Sequence, residues 1–431
     1  MTALTGYVLA GPCDTYKNGG TPCVAAHSTV RALYSNYSGK LYQVRRAKDN
    51  TTKDIMTLTP GGAADAASQD AFCQGTSCVV TIVYDQSGNG NNLEYQGSGS
   101  SVGGRDQPAS ATTESFNLGG QKVYSLYIKP GNSYWRDGHT TGVPTKNAPE
   151  GVYMVTSGTH YNSGCCFDYG NSETDRKADG AGAMDAIYFG NSCWFKDNSN
   201  YKCNTGAGPW VQADLEYGLF AWNSASTWNP KEVSFTSKYV TAMLKNNGTT
   251  KYAMKGANAA QTGNLTTIWD GSLPPGYNPM KKQGAIVLGS GGDCCATNTN
   301  MSEGTFYEGA IVNGYPTDAT DSLVHKDILA AGYGSNYSSV EHGTIHPARA
   351  LLHYDPTESR VVFDGALEQR HVTVKAVDFQ GKQIAQIFDG VVLAGKHEAS
   401  WDARNIRDGI FILKFSIEGQ EDMSMRVVSV K

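Results

Sequence analysis

The sequence contains few charges and lacks any long apolar run. Asp, Glu, Lys and Arg make up 17% of its 431 residues, and the formal net charge is −5 at pH 7. Because no basic stripe accompanies this weak acidity, a nucleic-acid partner is not expected. No apolar run approaches the roughly 18–20 residues that a membrane-spanning helix requires, so no transmembrane segment is expected. No signal peptide is visible, and we expect residues 1–3 to be an engineered start that replaces a removed leader.

The most abundant residue types are typical of strands and turns. It contains 50 glycines and 24 tyrosines, a composition that favours an all-β, loop-rich protein over a helical one. Short apolar runs separated by Gly, Asn and Ser clusters recur as far as residue 312, and this spacing predicts a large β-sandwich. Residues 27–34 have the apolar periodicity of a helix, and we expect them to form the only sizeable helix of this domain.

The ten cysteines lie close together in pairs along the chain. The pairs are Cys13 and Cys23, Cys73 and Cys78, Cys165 and Cys166, Cys193 and Cys203, and Cys294 and Cys295. An even number of locally paired cysteines indicates an oxidised, exported protein. No Cys-x-x-Cys or Cys/His spacing competes with this interpretation, so no metal site is expected.

Two of these pairs are adjacent in sequence, which is unusual. Consecutive Cα atoms lie about 3.8 Å apart across a trans peptide, below the usual disulfide span of about 4.4–6.8 Å. A bond between Cys165 and Cys166 would therefore close a strained ring, which presents a small, rigid sulfur surface and marks a candidate functional site. Two separate bridges are the alternative. The other cysteines have near partners of their own, which favours the vicinal bond for Cys165 and Cys166. The pairing of Cys294 with Cys295 stays open.

Residues 208–218 form the stretch around which the first domain is expected to be organised. Glycines bound an apolar, alternating run that predicts a strand. With a period of two, one face carries Trp210, Gln212, Asp214 and Glu216. The other face carries Val211, Ala213, Leu215 and Tyr217, and is apolar enough for a core. The polar face is typical either of a solvated strand or of a strand that lines a sugar-binding cleft.

A second candidate acid is Asp293, at the end of the apolar run 284–293. Gly292 precedes it and permits close approach of a ligand to the backbone. Alone, Asp293 is typical of a turn. Together with Glu216 on a facing strand, it would supply the two carboxyl groups that glycoside hydrolysis requires.

Residues 1–334 resemble glycoside hydrolase family 54, the α-L-arabinofuranosidases, along nearly their whole length. The matching stretches are 11–14, 19–27, 84–88, 158–162, 165–171, 208–210, 213–216, 291–293 and 304–309. So many long stretches in the same order make a chance match negligible.

The resemblance implies a β-sandwich catalytic domain, of the jelly-roll or concanavalin-like kind, and a retaining mechanism without a cofactor. It implies that Glu216 is the nucleophile and Asp293 the general acid/base. It further implies substrate-binding roles for the Cys165–Cys166 disulfide, Trp194, Asp214 and Gly292.

Three features depart from the family pattern as it is known. Tyr217 stands where the family has Asn after the nucleophile, so one sugar-hydroxyl contact changes at this substrate-binding position. The cysteines Cys193 and Cys203 flank an insertion beside Trp194, which can reshape the rim of the site. The pair at 294–295 is also outside the pattern, and an unrelated tail replaces the family's usual C-terminal arabinose-binding module.

The tail changes in composition after a small, polar stretch at 335–348, which we expect to be a linker. About seven short strands in the last roughly 85 residues predict a separate immunoglobulin-like sandwich over 349–431. This tail resembles the sorting domains of bacterial proteins exported by the type IX secretion system, through Trp401-Asp402, residues 408–413 and the terminal Lys431. A spacer or accessory domain without a sorting role is the alternative.

These observations predict a secreted or surface-held, exo-acting, retaining α-L-arabinofuranosidase. Its substrates would be plant cell-wall arabinoxylan, arabinan or arabino-oligosaccharides, and we expect a monomer. The alternatives are a related furanosidase or β-xylosidase on the same scaffold, and a non-catalytic sugar-binding protein. A lectin has no need of both Glu216 and Asp293, which argues against the last.

Overall fold

The structure is a computed structural model, and it describes two stretches of the chain. In the first, the described residues are 11–95, 107–177, 180–192, 206–224, 226–289 and 302–334. In the second, they are 352–355, 360–365, 370–378, 382–392, 395–401, 409–417 and 423–429. The chain divides into two compact units, Met1–Tyr337 and Ser338–Lys431. The expected linker, 335–348, lies outside the described residues.

Helices are few among these residues: α1 (Pro12–Asn18), α2 (Ala66–Phe72) and α3 (Asp318–Ala330). The predicted helix at 27–34 is wrong, because His27 lies within the strand Cys23–Ser28 and its ring is held by the Tyr169 hydroxyl and the Asn91 carbonyl oxygen. The longest described helix is α3, which begins after Thr317, whose side chain accepts a hydrogen bond from the Thr320 N–H. Within the described ranges, no helix is both long enough and apolar enough to cross a membrane.

Strands are the main regular secondary structure among the described residues of the first unit. In chain order they are β1 (Cys23–Ser28), β2 (Lys40–Arg46), β3 (Thr52–Met56), β4 (Cys78–Val83), β5 (Leu93–Tyr95), β6 (Ser115–Leu118), β7 (Gln121–Tyr124), β8 (Leu126–Ile128), β9 (Ser133–Asp137), β10 (Glu150–Tyr161), β11 (Asp168–Ser172), β12 (Asp185–Gly190), β13 (Trp210–Asp214), β14 (Leu219–Phe220), β15 (Val240–Asn246), β16 (Lys251–Asn258), β17 (Thr266–Ser272), β18 (Ala285–Gly289) and β19 (Gly304–Asn313).

Two large antiparallel sheets dominate this unit. One has seven strands in the order β1-β19-β10-β15-β16-β17, with β8 paired to β19. The other has ten strands in the order β14-β13-β12-β11-β18-β9-β5-β4-β2-β3. Strands β10, β15 and β16 of the first sheet contact β12 and β13 of the second across a shared apolar core. The prediction of an all-β sandwich is confirmed.

A buried ionic cluster links the two sheets. The Lys282 ammonium lies 2.9 Å from a Glu150 carboxylate oxygen and 3.4 Å from an Asp185 oxygen. Asn171 donates to Glu150, and Asn246 donates to Asp185. Burial raises the pKa of Glu150 to about 7, an increase that the Lys282 charge opposes only in part. The cluster joins β10 and β15 of one sheet to β11 and β12 of the other.

Two disulfides close short loops near the start of the chain. Cys13 is bonded to Cys23 with a Cα separation of 5.6 Å, and Cys73 to Cys78 with a separation of 5.9 Å. Both pairs join cysteines that are neighbours in sequence, as expected, and both separations are ordinary for a disulfide.

The second unit is also built of strands. They are β20 (Leu352–Asp355), β21 (Arg360–Gly365), β22 (Arg370–Val377), β23 (Gln383–Val392), β24 (Gly395–Ser400), β25 (Gly409–Ile417) and β26 (Met423–Ser429). They form a three-stranded sheet, β20-β21-β24, and a four-stranded sheet, β23-β22-β25-β26. Phe363 from the first sheet and Val374 and Phe415 from the second share one small core, against which Trp401 packs. This unit is therefore a small β-sandwich with a core of its own.

Candidate active site

Strand β13 has two faces with different surroundings, as its alternating sequence predicts. Val211 and Ala213 lie in the core between the two large sheets. Trp210, on the opposite face, packs edge-on against Trp228, with ring centroids 5.0 Å apart. Both faces are covered, however, because every residue of β13 is buried. The alternative that the polar face of this strand is simply exposed to solvent is therefore excluded.

The predicted strand is too long, since β13 ends at Asp214 and Glu216 lies in the turn that follows. The backbone φ angles of Glu216 and Tyr217 are +66° and +59°, in the left-handed region that residues other than glycine rarely adopt. The Asp214 carboxylate accepts the Glu216 N–H at 3.0 Å, and the Tyr277 hydroxyl donates to the Glu216 carbonyl oxygen at 2.7 Å. Two consecutive residues held in this region indicate a functional constraint on the turn.

Glu216 remains buried in this turn, with only 5% of its surface exposed. The Tyr217 N–H approaches one of its carboxylate oxygens at 3.4 Å. Asp214, two residues earlier, is 6% exposed. The turn therefore places two acidic residues at the end of β13. The backbone N–H of Glu216 donates a hydrogen bond to the side chain of Asp214.

The adjacent cysteines Cys165 and Cys166 are bonded to each other. Their peptide bond is cis and their Cα atoms are 3.0 Å apart, so the trans geometry assumed from the sequence is wrong. The disulfide packs against Tyr188 and Leu219. Its two sulfur atoms and an Asp214 carboxylate oxygen all lie within 4.8 Å of one another. Because bonded sulfurs are not thiolates, this group is an apolar surface beside an acid rather than a set of metal ligands.

Strand register explains why these groups meet. Tyr188 on β12 lies opposite Asp168 on β11 and Gln212 on β13. Burial, with smaller contributions from the Asp168 and Asp214 charges, raises the pKa of the Tyr188 phenol, so the hydroxyl stays neutral. It accepts a hydrogen bond from the Ser192 N–H at 2.8 Å. The site is thus built on the outer face of three adjacent strands.

Comparison with known proteins identifies the family to which this arrangement belongs. Residues 12–334 match the family model described as "Alpha-L-arabinofuranosidase B, catalytic". The chain belongs to this family. The resemblance of the first domain to glycoside hydrolase family 54 is thereby confirmed.

Individual relatives support this assignment. The alpha-L-arabinofuranosidase B of Emericella nidulans is 50% identical over 335 residues, which cover 76% of this chain and 63% of that protein. The probable alpha-L-arabinofuranosidase B of Aspergillus fumigatus is 50% identical over 341 residues, covering 78% and 65%. The chain therefore spans slightly less than two thirds of the length of these relatives. A crystal structure of an arabinofuranosidase complexed with arabinofuranosyl-alpha-1,2-xylobiose matches with a TM-score of 0.70 at 43% identity, covering 84% of this chain and 73% of that one.

Tyr217, the departure from the family pattern beside the nucleophile candidate, is only half-buried. Its ring lies toward Gly180, where an added Cβ would be 3.5 Å from the ring. The side chain is therefore directed toward the loop at 180–182.

Several predicted site residues lie outside the described residues: Cys193, Trp194, Cys203, Gly292, Asp293, Cys294 and Cys295. The strands that flank the Asp293 segment are described. β18 ends at Gly289 beside β11, with Leu288 opposite Tyr169, and the chain returns at Gly304 in β19. The segment that contains Asp293 therefore begins beside the first residues of β11, which follow Cys165 and Cys166 closely in the chain.

Two residues that build the site were missed from the sequence. Tyr188 contacts the disulfide, and Tyr277 holds the Glu216 turn. Tyr188 belongs to an apolar run that is typical of any buried strand, and Tyr277 follows a Pro-Pro-Gly turn. Neither local pattern distinguishes them from the other 22 tyrosines among the 24 in the sequence.

Proposed function

We propose that the chain is a retaining, exo-acting α-L-arabinofuranosidase that releases terminal arabinofuranosyl groups from plant cell-wall arabinoxylan or arabinan. The observation that carries the proposal is the turn at buried Glu216, whose backbone N–H is held by the Asp214 carboxylate, a group that itself lies beside the disulfide. A sugar ring packed on the sulfur surface would have one face against apolar atoms and its hydroxyls beside carboxylates. Family membership and the names of the relatives support the same activity.

In the proposed mechanism, two carboxyl groups carry both steps. The Glu216 carboxylate attacks the anomeric carbon, and the bond to the departing oxygen breaks as Asp293 gives its proton to that oxygen. A glycosyl-enzyme ester results. Asp293, now ionised, removes a proton from water, whose oxygen attacks the same carbon and releases Glu216. Two inversions leave the anomeric configuration unchanged. Such enzymes hold the two carboxyl groups about 5–5.5 Å apart, against about 6.5–9.5 Å in inverting enzymes.

The stereochemistry of the first product tests this proposal. NMR during hydrolysis of 4-nitrophenyl α-L-arabinofuranoside should show α-arabinofuranose first. Asp293→Ala should retain more activity on aryl substrates with good leaving groups than on alkyl ones, because good leaving groups need no acid. A first product of inverted configuration would refute Glu216 as nucleophile. Faster hydrolysis of 4-nitrophenyl β-D-xylopyranoside would favour the xylosidase alternative, for which Tyr217 is the reason, and no turnover of any glycoside would favour the lectin.

The disulfide gives a second test. Replacing both Cys165 and Cys166 by Ala should lower kcat/KM by about 10- to 100-fold, mainly through KM, because the loss is one of apolar contact with the sugar. The matched control replaces Cys73 and Cys78, a disulfide in another part of the unit, and should lower the melting temperature without changing KM. Unchanged kinetics in the first double variant would remove the disulfide from the site.

The polymer that carries the arabinose is part of the proposal. One structurally similar arabinofuranosidase is complexed with arabinofuranosyl-alpha-1,2-xylobiose, which supports an arabinose-substituted xylan as substrate here. The proposed enzyme acts on such chains as a monomer outside the cell, in keeping with three observed disulfides.

For the second unit we propose a role in export, as a sorting domain of the type IX kind. The support is its own core, into which Trp401 packs, and the final pair of strands, β25 and β26. The matching residues Asp402, Asp408 and Lys431 lie outside the described residues. Fused to a periplasmic reporter in a bacterium with this secretion system, residues 338–431 should carry the reporter to the cell surface. Retention of the reporter in the periplasm would leave the unit as a spacer.

A further inference from the structure

Gln212 combines complete burial with an unused hydrogen-bond donor. Only 1% of its surface is exposed. Its side-chain nitrogen Nε2 makes no hydrogen bond with any residue that the structure describes. Leaving a buried amide donor without an acceptor lowers the stability of a fold, so such a donor at this depth calls for an explanation.

The position of Gln212 in the sheet suggests what the donor is for. On β13 it lies two residues before Asp214, on the same face, at a Cα separation of about 7 Å. Across the ladder it is opposite Tyr188. Tyr188 and the Asp214 carboxylate both adjoin the Cys165–Cys166 disulfide. The amide therefore lies among the groups that would surround the bound sugar.

The order of residues along the chain indicates which part of the sugar it meets. Glu216 must reach the anomeric carbon, and Asp214 comes next in the direction away from it. Gln212 lies farther still from the nucleophile. In a pentofuranose, the hydroxyl farthest from the anomeric carbon is the one on the exocyclic carbon, C5. A pentopyranose has no exocyclic carbon at all, because C5 lies within its ring.

We propose that Gln212 donates a hydrogen bond from Nε2 to the exocyclic 5-hydroxyl of the arabinofuranosyl group, and so selects the furanose over a pentopyranose. This inference rests on the proposed function and deepens it by naming a specificity-determining residue. The substrate oxygen supplies the acceptor that this donor does not find among the described residues. An analogue without this hydroxyl leaves the donor buried and unpaired, and is rejected for that reason.

The test crosses two enzymes with two substrates. The substrates are 4-nitrophenyl α-L-arabinofuranoside and its 5-deoxy analogue. The wild-type chain should prefer the parent substrate by about 10- to 100-fold in kcat/KM, as expected for one hydrogen bond to a buried donor. Gln212→Met should lose about that factor on the parent and almost nothing on the analogue. Gln212→Leu, which also removes the donor, should behave in the same way.

Gln69→Met is the matched control. Gln69 is also fully buried, but its amide is paired with the Tyr42 hydroxyl and the Ala111 carbonyl oxygen. This variant should lose stability and keep the wild-type preference between the two furanosides.

Each failure has a separate signature. Equal losses on both furanosides in the Gln212 variants would make Gln212 a structural support of the site and overturn the inference alone. A wild-type chain that does not distinguish the two furanosides would also overturn it, even if neither variant folds. A wild-type chain that hydrolyses 4-nitrophenyl β-D-xylopyranoside but neither furanoside would overturn the proposed function, and the inference with it.

Discussion

Replacing Glu216 by Gln should lower kcat/KM for 4-nitrophenyl α-L-arabinofuranoside by at least about 10⁴-fold while the chain still folds. Gln has nearly the same size but is a poor nucleophile, so no glycosyl-enzyme forms. The Asp214 and Tyr277 contacts that hold this turn involve the Glu216 backbone N–H and carbonyl oxygen. Because the substitution spares them, the melting temperature should stay within a few degrees of the wild-type value.

Two further variants make this result specific. Glu94→Gln changes an exposed glutamate on β5 and should leave the kinetics unchanged. Glu216→Ala with added azide should form the β-arabinofuranosyl azide and should not restore the original product, because azide then attacks from the side that the carboxylate occupied. Loss of less than about tenfold in Glu216→Gln would show that another group is the nucleophile.

Replacing Lys282 by Met should lower the free energy of unfolding by about 3–5 kcal/mol at neutral pH, the usual cost of removing one partner from a buried ion pair. Glu150 and Asp185, both almost inaccessible to solvent, would lose the cation that lies between them. Their hydrogen bonds with Asn171 and Asn246 would remain, but amide groups cannot neutralise a carboxylate. Chemical denaturation of wild-type and variant chains measures the difference.

The loss should grow with pH. The pKa of Glu150 in the folded chain, about 7, is above its ordinary value of 4.5, and burial also raises the pKa of Asp185. A carboxyl group with a raised pKa stabilises the fold below its unfolded pKa, and this contribution disappears as pH rises through the folded value. Without Lys282 both pKa values rise further. The variant should therefore be closest to the wild type near pH 5 and farthest from it near pH 8.

Neutralising the Glu150 and Asp185 carboxylates, which have no cation in Lys282→Met, should restore part of the stability. The triple variant Lys282→Met, Glu150→Gln and Asp185→Asn should be more stable at pH 8 than Lys282→Met alone, since it buries no uncompensated charge. Lys17→Met, at an exposed position on α1, is the matched single control and should change little. A pH-independent loss in Lys282→Met would show that packing, not charge, is what Lys282 contributes.

The residue pattern of β13 shows how far local sequence carries a structural prediction. Alternation correctly placed Val211 and Ala213 in the core, because a strand turns successive side chains to opposite faces whatever surrounds it. The same alternation wrongly extended the strand through Glu216. The left-handed backbone there depends on Asp214 and on Tyr277, which is 61 residues away in the chain. No local pattern reports so distant a contact.

The sequence by itself determined the all-β class, the neighbouring cysteine pairs and the motifs that assign the first domain to its family. These depend on composition, spacing and order along the chain. Only the tertiary structure decided that Asp214, the Cys165–Cys166 disulfide and Tyr188 meet on one face. Only the tertiary structure places Gln212 opposite Tyr188 with a donor that no described residue accepts. The physical reason is that these groups come from separate strands, and which side chains touch is set by strand order and register across the sheet.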